Sequence, residues 1–343
     1  MRFVQKLPDA NELIKENPLT AEEKSRREEL LSSLRAILSG KDGRKILCIG
    51  PCSADREDAV LEYACRLASL REKVKDVFLI IPRIYTSKPR STGTGYKGML
   101  HRPAITGKDD ILAGVTAVRS LHLKVIRETG FFGADEMLYP ESAYYIFDLL
   151  SYIAVGARSV EDQGHRMAAS GLDIPVGMKN PLSGDMTAVL NSVLAAQTAQ
   201  TMIYRGWEVQ TDGNAYAHAI LRGYSDVSGK ARPNYHYESL CEFYDLYSKM
   251  ALKNISVMID CNHGNSGKHY EEQIRIAKEV LSVCRDYPSL NRFVKGLMIE
   301  SYLEDGSQIL GGGVFGKSVT DPCLGWDKTE RLVLELAEMR ESG

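Results

Sequence analysis

Residues 77–98 read Val-Phe-Leu-Ile-Ile-Pro-Arg-Ile-Tyr-Thr-Ser-Lys-Pro-Arg-Ser-Thr-Gly-Thr-Gly-Tyr-Lys-Gly. The first five residues have the length and the β-branched content of a buried strand. The loop that follows presents four cations, Arg83, Lys88, Arg90 and Lys97, and no acid. Arginine and lysine bind phosphate or carboxylate, and glycine lets the backbone approach a ligand closely. The stretch predicts a strand that leads into an anion-binding loop; a solvated basic loop is the simpler alternative.

The composition is that of an ordinary globular protein. Of the 343 residues, 44% are hydrophobic and 26% are charged, and the formal net charge is -2. A near-neutral chain argues against nucleic acid as the main partner, so the cations of residues 83–97 are a local feature. No stretch reaches membrane-spanning length, and the N-terminus lacks a signal-peptide core. Seven cysteines at irregular spacing are typical of reduced thiols. We therefore expect a cytoplasmic protein without a membrane partner.

Short apolar runs alternate with helical patterns along most of the chain. This alternation implies a parallel sheet, and eight repeats in a chain of this length favour a single (β/α)8 barrel over an open doubly wound sheet. The helical patterns cover 57–70, 111–128, 187–200, 239–252, 271–283 and 326–339. The predicted strands are 46–49, 77–81, 136–138, 153–155, 175–178, 218–221, 257–259 and 296–299.

Two segments do not fit this alternation. Residues 1–19 are polar, contain two prolines and are predicted to form an arm. Thr20 and Glu23 form a capping box that begins a helix reaching Leu38. We expect residues 1–44 to form an N-terminal arm and helix and residues 45–343 to form the barrel. Residues 202–213 are predicted to form a β-hairpin inserted before the sixth strand.

The active site of such a barrel lies at the C-terminal ends of its strands. The residues at the predicted strand ends are polar and mostly charged, which indicates a site at this rim. Asp321 follows in the loop after the eighth strand. In chain order the strand-end residues are Cys52, Arg83, Glu136, Arg158, Lys179, Arg222, His263 and Glu300.

Two kinds of chemistry can be separated within this set. Sulfur, imidazole and carboxylate donors suit a divalent transition metal such as Mn, Fe, Co or Zn, whereas each residue alone is more often structural. The cations suit a small phosphorylated acid, and Arg90 lies further out, where it can bind a second phosphate. A metal beside two anion sites favours a carbonyl polarised for attack by a carbon nucleophile. The donors are Cys52, His263, Glu300 and Asp321; the cations are Arg83, Lys88, Arg158, Lys179 and Arg222.

Ordered motifs at these positions carry a resemblance to a known family. They are Gly50-Pro51-Cys52-Ser53, Pro82-Arg83-Ile84-Tyr85, Lys88-Pro89-Arg90, Gly95-Tyr96-Lys97-Gly98, Gly156-Ala157-Arg158, residues 175–180, Leu221-Arg222-Gly223, residues 260–266, Glu300-Ser301 and Thr320-Asp321 with Gly325-Trp326. Together they resemble 3-deoxy-D-arabino-heptulosonate 7-phosphate (DAHP) synthase of the type I alpha group. The resemblance covers nearly the whole chain, including the arm and the hairpin.

The resemblance implies an enzyme that condenses phosphoenolpyruvate with erythrose 4-phosphate in the first step of the shikimate pathway. It implies that Cys52, His263, Glu300 and Asp321 bind the metal, and that Lys88 is catalytic together with Cys52 and His263. It also implies that phosphoenolpyruvate is bound by Arg83, Lys88, Glu136, Ala157, Arg158, Lys179 and Arg222, and that erythrose 4-phosphate is bound by Lys88, Pro89, Arg90 and Ser91. The hydroxyl of Ser91 stands where the family usually has threonine.

Regulation is also implied by the resemblance. In that family the arm and the hairpin form a pocket for an aromatic amino acid and a subunit contact, so we expect an inhibited homodimer or homotetramer. Two alternatives remain open. A sister enzyme that uses another aldose phosphate, such as 3-deoxy-octulosonate 8-phosphate synthase, resembles Lys-Ala-Asn-Arg where this chain has Lys88-Pro89-Arg90-Ser91. A non-catalytic phospho-ligand sensor is expected to have lost ligands or cations, and this chain has the full set.

Overall fold

Eight parallel strands form the central sheet, and nearly all of their residues are buried. The computed structural model describes residues 1–90 and 92–341. Apolar side chains are buried on both faces of the strands, as expected for a parallel sheet covered by helices. The strands are β1 (Lys45–Gly50), β2 (Phe78–Pro82), β3 (Gly133–Glu136), β4 (Leu150–Val155), β5 (Val176–Lys179), β6 (His218–Leu221), β7 (Val257–Asp260) and β8 (Val294–Glu300).

The strand order makes the sheet a barrel. The order is β2-β1-β8-β7-β6-β5-β4-β3, so the first and last strands of the chain are neighbours. Between β2 and β3 the circle is joined by a parallel bridge from Arg83 to Ala134 and by a hydrogen bond of 2.8 Å from the Ile84 N–H to the Ala134 carbonyl. The predicted (β/α)8 barrel is confirmed.

Helices follow the strands and form the outer layer. None of the helices in the described part of the chain is long and apolar enough to span a membrane. The helices are α1 (Ala10–Glu16), α2 (Ala21–Leu38), α3 (Glu57–Val74), α4 (Ile111–Thr129), α5 (Pro140–Ala143), α6 (Gln163–Ser170), α7 (Met186–Gln197), α8 (Tyr237–Ser248), α9 (His263–Ser266), α10 (Glu272–Asp286), α11 (Pro288–Phe293) and α12 (Trp326–Glu341), with a 3-10 turn at Phe147–Leu149.

The third strand lies earlier in the chain than predicted. The sequence analysis placed it at residues 136–138, but β3 ends at Glu136 and the chain then turns, because the Leu138 N–H bonds the Glu136 carbonyl at 2.9 Å. The residues of β3 are Gly-Ala-Asp-Glu, which have low intrinsic strand preference. They are held as a strand by pairing with β4.

The arm and the insertion have more structure than the sequence analysis assigned. Residues 1–19, predicted as a polar arm, contain α1. Asp9 and Glu12 form a capping box at the start of this helix. The insertion pairs Thr201–Tyr204 with Trp207–Gln210 as an antiparallel hairpin. Short two-stranded ribbons also form at Tyr224–Ser225 with Ala231–Arg232 and at Glu304–Ser307 with Lys317–Ser318.

A polar pair lies in the barrel interior away from the rim. The Tyr152 hydroxyl and His218 Nε2 are 2.8 Å apart, and His218 Nδ1 is 2.9 Å from the Tyr216 carbonyl. Since a carbonyl only accepts, Nδ1 donates and Nε2 accepts from the tyrosine. Burial lowers the pKa of His218 to about 4, so the imidazole is neutral at pH 7.

Candidate active site

The loops after β6 and β7 are in backbone contact at the rim. The Gly264 N–H donates to the Arg222 carbonyl at 2.9 Å. Gly223 has φ +68°, and a Cβ at this position would lie 2.3 Å from the Gly264 carbonyl carbon. Only glycine fits such a close approach in this conformation. As a result, the Arg222 and His263 side chains start from adjoining segments.

A cavity of about 430 Å³ opens at this rim. Its lining includes cations from the end of β5 and from the segments that follow β2, β4, β6 and β7. Acidic and imidazole groups line the same cavity, so it offers positive charge next to possible metal donors. Its lining includes the predicted residues Lys88, Pro89, Arg90, Glu136, Ala157, Arg158, Lys179, Arg222, His263 and Asp321.

Three of the four predicted metal donors converge. Ligand atoms of Cys52, Glu300 and Asp321 all lie within 4.8 Å of one another. His263 is outside this mutually close group, but its Nε2 is 3.8 Å from Glu300 Oε1. Cys52 and Glu300 are fully buried. The Asp321 N–H donates to Cys52 Sγ at 3.3 Å, which ties the loop after β8 to the loop after β1.

The charges of this cluster influence one another. Burial and the Glu300 carboxylate raise the pKa of the Cys52 thiol. Burial alone would lower the pKa of Lys88, but its interactions with Cys52 and with the Glu300 and Asp321 carboxylates outweigh burial and raise that pKa. Burial would also raise the pKa of Asp321, yet Lys88 and His263 hold it at about 2. Lys88 is therefore an ammonium and Asp321 a carboxylate at pH 7.

Arg83 and Glu300 form an ion pair beneath the cavity. Arg83 Nη2 donates to Glu300 Oε1 at 2.9 Å, and neither side chain is exposed to solvent. The Arg83 guanidinium also lies 4.0 Å from the centre of the Tyr85 ring. Its Nε and Nη1 are buried and have no hydrogen-bond partner among the described residues. Buried donors of this kind are costly unless a ligand pairs with them, so they mark a place for an anionic group.

A second buried network includes two of the cavity's charged residues, Lys179 and Glu136. Lys179 Nζ donates to Glu136 Oε2 at 3.3 Å. Burial would raise the pKa of Glu136, but Lys179 and Lys88 outweigh it and lower that pKa. Asn180 Oδ1 accepts the Arg222 backbone N–H at 2.8 Å, which fixes the start of the loop after β6.

The four cations of the loop after β2 are separated in the structure. Lys88 and Arg90 face the cavity, whereas Lys97 pairs with Asp109 at 3.2 Å on the outside and Arg83 is buried below. The Arg90 Nε donates to the Tyr96 carbonyl at 2.7 Å, and the side chain lines the cavity. Ser91, predicted to contact the sugar phosphate, lies outside the described residues.

The sequence analysis did not assign several residues that hold the site together. Asp260 Oδ2 is 2.9 Å from His263 Nδ1, Asn262 Nδ2 donates to Glu300 Oε2 at 2.5 Å, and Lys268 Nζ donates to Asp321 Oδ1 at 2.8 Å. Asp260 is the last residue of β7, so its position at a strand end was the available signal. Asn262 and Lys268 lie in turns whose geometry the sequence does not reveal.

The donor set fits a divalent transition metal. A thiolate, two carboxylates and an imidazole suit Mn, Fe, Co or Zn better than Ca or Mg, which prefer oxygen ligands. Cys52 and Glu300, two of these donors, are fully buried, and Glu300 Oε1 faces His263 Nε2 at 3.8 Å although it is also paired with Arg83. Cys52, Glu300 and Asp321 would hold the ion together with His263.

Comparison with known proteins shows which family the chain resembles in both sequence and structure. The model of the DAHP synthetase I family matches residues 18–334. The Tyr-sensitive phospho-2-dehydro-3-deoxyheptonate aldolase of Escherichia coli K12 is 36% identical over 93% of this chain and 89% of its own length. The Phe-sensitive protein of the same strain is 37% identical over 89% of this chain and 86% of its own. A structure of phospho-2-dehydro-3-deoxyheptonate aldolase from Francisella tularensis SCHU S4 superimposes with a TM-score of 0.91, at 30% identity, over 99% of this chain and 98% of that one.

Proposed function

This chain belongs to the DAHP synthetase I family, and we propose from that premise which residues carry the reaction and how it is regulated. The chain condenses phosphoenolpyruvate with erythrose 4-phosphate to 3-deoxy-D-arabino-heptulosonate 7-phosphate and inorganic phosphate. This is the transferase reaction of a 3-deoxy-7-phosphoheptulonate synthase, the first step of the shikimate pathway. A carbon–carbon bond forms between the enol carbon and the aldehyde carbon. Water adds to the carbon of phosphoenolpyruvate that carries the phosphate, and the bond between this carbon and the phosphate oxygen breaks.

The single observation that carries the residue assignment is the shared cavity. Its lining includes Arg158, Lys179 and Arg222 at the ends of the neighbouring strands β4, β5 and β6, and Lys88 with Arg90 in the loop after β2. We assign the first group to the phosphate of phosphoenolpyruvate, because guanidinium and ammonium groups bind phosphate with charge-assisted hydrogen bonds. We assign the carboxylate of phosphoenolpyruvate to Arg83, whose buried Nε and Nη1 have no partner among the described residues. Glu136 and Ala157 also line the cavity.

The loop after β2 suits the sugar phosphate. Arg90, Pro89 and Ser91 are assigned to erythrose 4-phosphate, with the terminal nitrogens of Arg90 on its phosphate. Lys88 lies next to Cys52, and its charge also helps to lower the pKa of Glu136, so it borders both groups of residues. Its ammonium places positive charge where the aldehyde oxygen gains negative charge, and it can supply the proton that this oxygen takes up.

The metal would be held by Cys52, His263, Glu300 and Asp321, as the donor geometry supports. When bound, it would act as a Lewis acid on the aldehyde carbonyl. Strong chelation is expected to abolish phosphate release from phosphoenolpyruvate, and Mn²⁺, Co²⁺, Fe²⁺ or Zn²⁺ is expected to restore it. Full activity in excess EDTA would contradict the metal assignment. Comparing erythrose 4-phosphate with longer and shorter aldose phosphates in the same assay tests the substrate assignment.

Regulation is proposed to reside at the arm and the hairpin. A cavity of about 590 Å³ lies between them and is lined by Leu7, Pro8, Tyr144, Tyr145 and Tyr204 among others. The Tyr145 hydroxyl donates to the Pro8 carbonyl at 2.9 Å, and Arg205 in the hairpin turn forms an ion pair with Asp9. We propose that an aromatic amino acid binds here and inhibits a homodimer or homotetramer in the cytoplasm. The relatives are named as sensitive to tyrosine, tryptophan or phenylalanine, and the seven free thiols fit a reducing compartment.

A further inference from the structure

Asp260 is a fully buried carboxylate at the end of β7. Its Oδ2 is 2.9 Å from His263 Nδ1, and its Oδ1 accepts the Asn262 backbone N–H at 3.0 Å. An ionised carboxylate can only accept hydrogen bonds, so His263 Nδ1 is the donor. The proton on Nδ1 leaves the lone pair on Nε2, the nitrogen on the side of Glu300. The contact therefore determines both the tautomer and the direction of the imidazole.

The backbone of His263 has an unusual conformation that needs contacts such as this one to hold it. His263 has φ +50°, which is a left-handed conformation that residues other than glycine seldom adopt. Such a conformation persists when surrounding contacts hold it. The carboxylate of Asp260 lies three residues earlier, on the strand itself, and thus anchors the imidazole to the barrel rather than to the loop.

The same carboxylate also lies near one of the cavity's cations. Asp260 Oδ2 lies 3.9 Å from Lys179 Nζ, and Lys179 in turn donates to Glu136. One buried oxygen is thus next to a proposed metal ligand and to a proposed phosphate ligand. No solvent reaches it to supply an alternative partner.

We propose that Asp260 is a positioning residue, which holds His263 in the Nδ1–H tautomer and aims its Nε2 into the ion site. Carboxylates that bond the outer nitrogen of a metal-binding histidine typically contribute 10- to 100-fold in metal affinity. The proposal rests on the proposed metal site and adds to it a residue that touches neither ion nor substrate.

The first test needs no metal. Protein labelled with ¹⁵N-histidine has seven imidazoles, and His263→Gln identifies the signals of residue 263. In the metal-free protein we expect the Nδ1–H tautomer at pH 8, with its proton signal shifted downfield by the carboxylate. The Nε2–H tautomer at this position would overturn the proposal even if the metal site itself were correct.

The second test measures Co²⁺ binding through the visible d–d bands and the thiolate-to-cobalt charge-transfer band. Asp260→Asn keeps the shape of the side chain and is expected to weaken binding by about 10- to 100-fold. It should also change the d–d bands while keeping the thiolate band, because Cys52 is untouched. Asp226→Asn is the matched control: this acid lies in the turn between Tyr224–Ser225 and Ala231–Arg232, bonded to Arg232 and Ser228, and its replacement should leave affinity unchanged.

The outcomes separate the two ideas. Equal affinity and equal spectra in wild type and Asp260→Asn would overturn the role of Asp260 and leave the metal site standing. Absence of a thiolate band in the wild type would overturn the metal site, and the role of Asp260 with it. If Asp260→Asn does not fold, the tautomer measured in the wild type decides.

Discussion

Replacing Arg222 by alanine is the sharpest perturbation of the proposed phosphate site. Arg222 follows β6, and its side chain is largely buried beside the cavity. Burial lowers its pKa, but arginine stays charged at any pH at which the enzyme would be assayed. Its backbone is held by Asn180 and by the Gly264 N–H, so removing the side chain should leave the loop in place.

The magnitude follows from the hydrogen bonds that are lost. A guanidinium that binds a phosphate with both terminal nitrogens makes about two charge-assisted hydrogen bonds, each worth roughly 1.5–3 kcal/mol. The loss of about 3–6 kcal/mol corresponds to a decrease of about 10² to 10⁴ in kcat/KM. Arg158→Ala is expected to act in the same direction. Because the proposed contact is with phosphoenolpyruvate, the dependence on this substrate should change most.

The assay is steady-state phosphate release with either substrate varied. Arg232→Ala is the matched control, because this arginine lies on the two-stranded ribbon that follows β6, is about half exposed and bonds Asp226. It should keep kcat/KM within about threefold of wild type, and both variants should bind Co²⁺ like wild type. If Arg222→Ala also stays within about threefold, the phosphate does not bind where the cavity places it.

Three further predictions concern other parts of the molecule. Arg90→Ala should raise KM for the aldose phosphate by about 10- to 100-fold and leave KM for phosphoenolpyruvate within about threefold, as substrate titrations can show; a larger change for phosphoenolpyruvate would contradict the assignment. His218 has a folded pKa of about 4 against 6.5 in the unfolded chain, so its contribution to stability is complete above pH 6.5 and is lost as the pH falls towards 4. Chemical unfolding should show about 3 kcal/mol of pH-dependent stability in this window that His218→Gln lacks, and identical profiles would refute the buried neutral imidazole. Deleting residues 1–18 should preserve catalysis and abolish inhibition by phenylalanine, tyrosine or tryptophan; normal inhibition of the truncated enzyme would disprove the role of the arm.

Much of the barrel could be predicted because strong local signals agree with its architecture. Short apolar runs such as Ile46–Ile49 predict buried strands, and the polar residues that follow them indicate the rim of the barrel. The strand β3 shows the limit of that approach. Its residues carry no strand signal, and Met137, which follows it, is apolar and buried, so the predicted strand moved towards the apolar residues. Pairing with β4 decides the position of β3, and such pairing is not local in sequence.

The site shows the same division. That residues after the strands, such as Cys52 and Arg222, lie at one rim could be predicted because the fold determines where strand ends meet. The contacts of Asp260 and Lys268 could not, since they depend on side-chain directions in turns with unusual backbone angles: His263 and Lys268 both have positive φ. Lys97 was counted with the cations of the anion-binding loop, but it pairs with Asp109 outside the cavity. The charge of a loop residue does not tell which way its side chain faces.

The contact between β2 and β3 is the place where the barrel should open at the lowest free energy. The pairing of β1 with β8 runs over five residue pairs, whereas β2 and β3 meet in one bridge and the hydrogen bond from Ile84 to Ala134. Segments with few backbone hydrogen bonds open locally at lower free energy than the rest of a fold. The amide proton of Ile84 should therefore exchange with deuterium sooner than that of Ile299. The loop that we assign to erythrose 4-phosphate begins next to this contact, so it can loosen while the pairing of β1 with β8 stays closed.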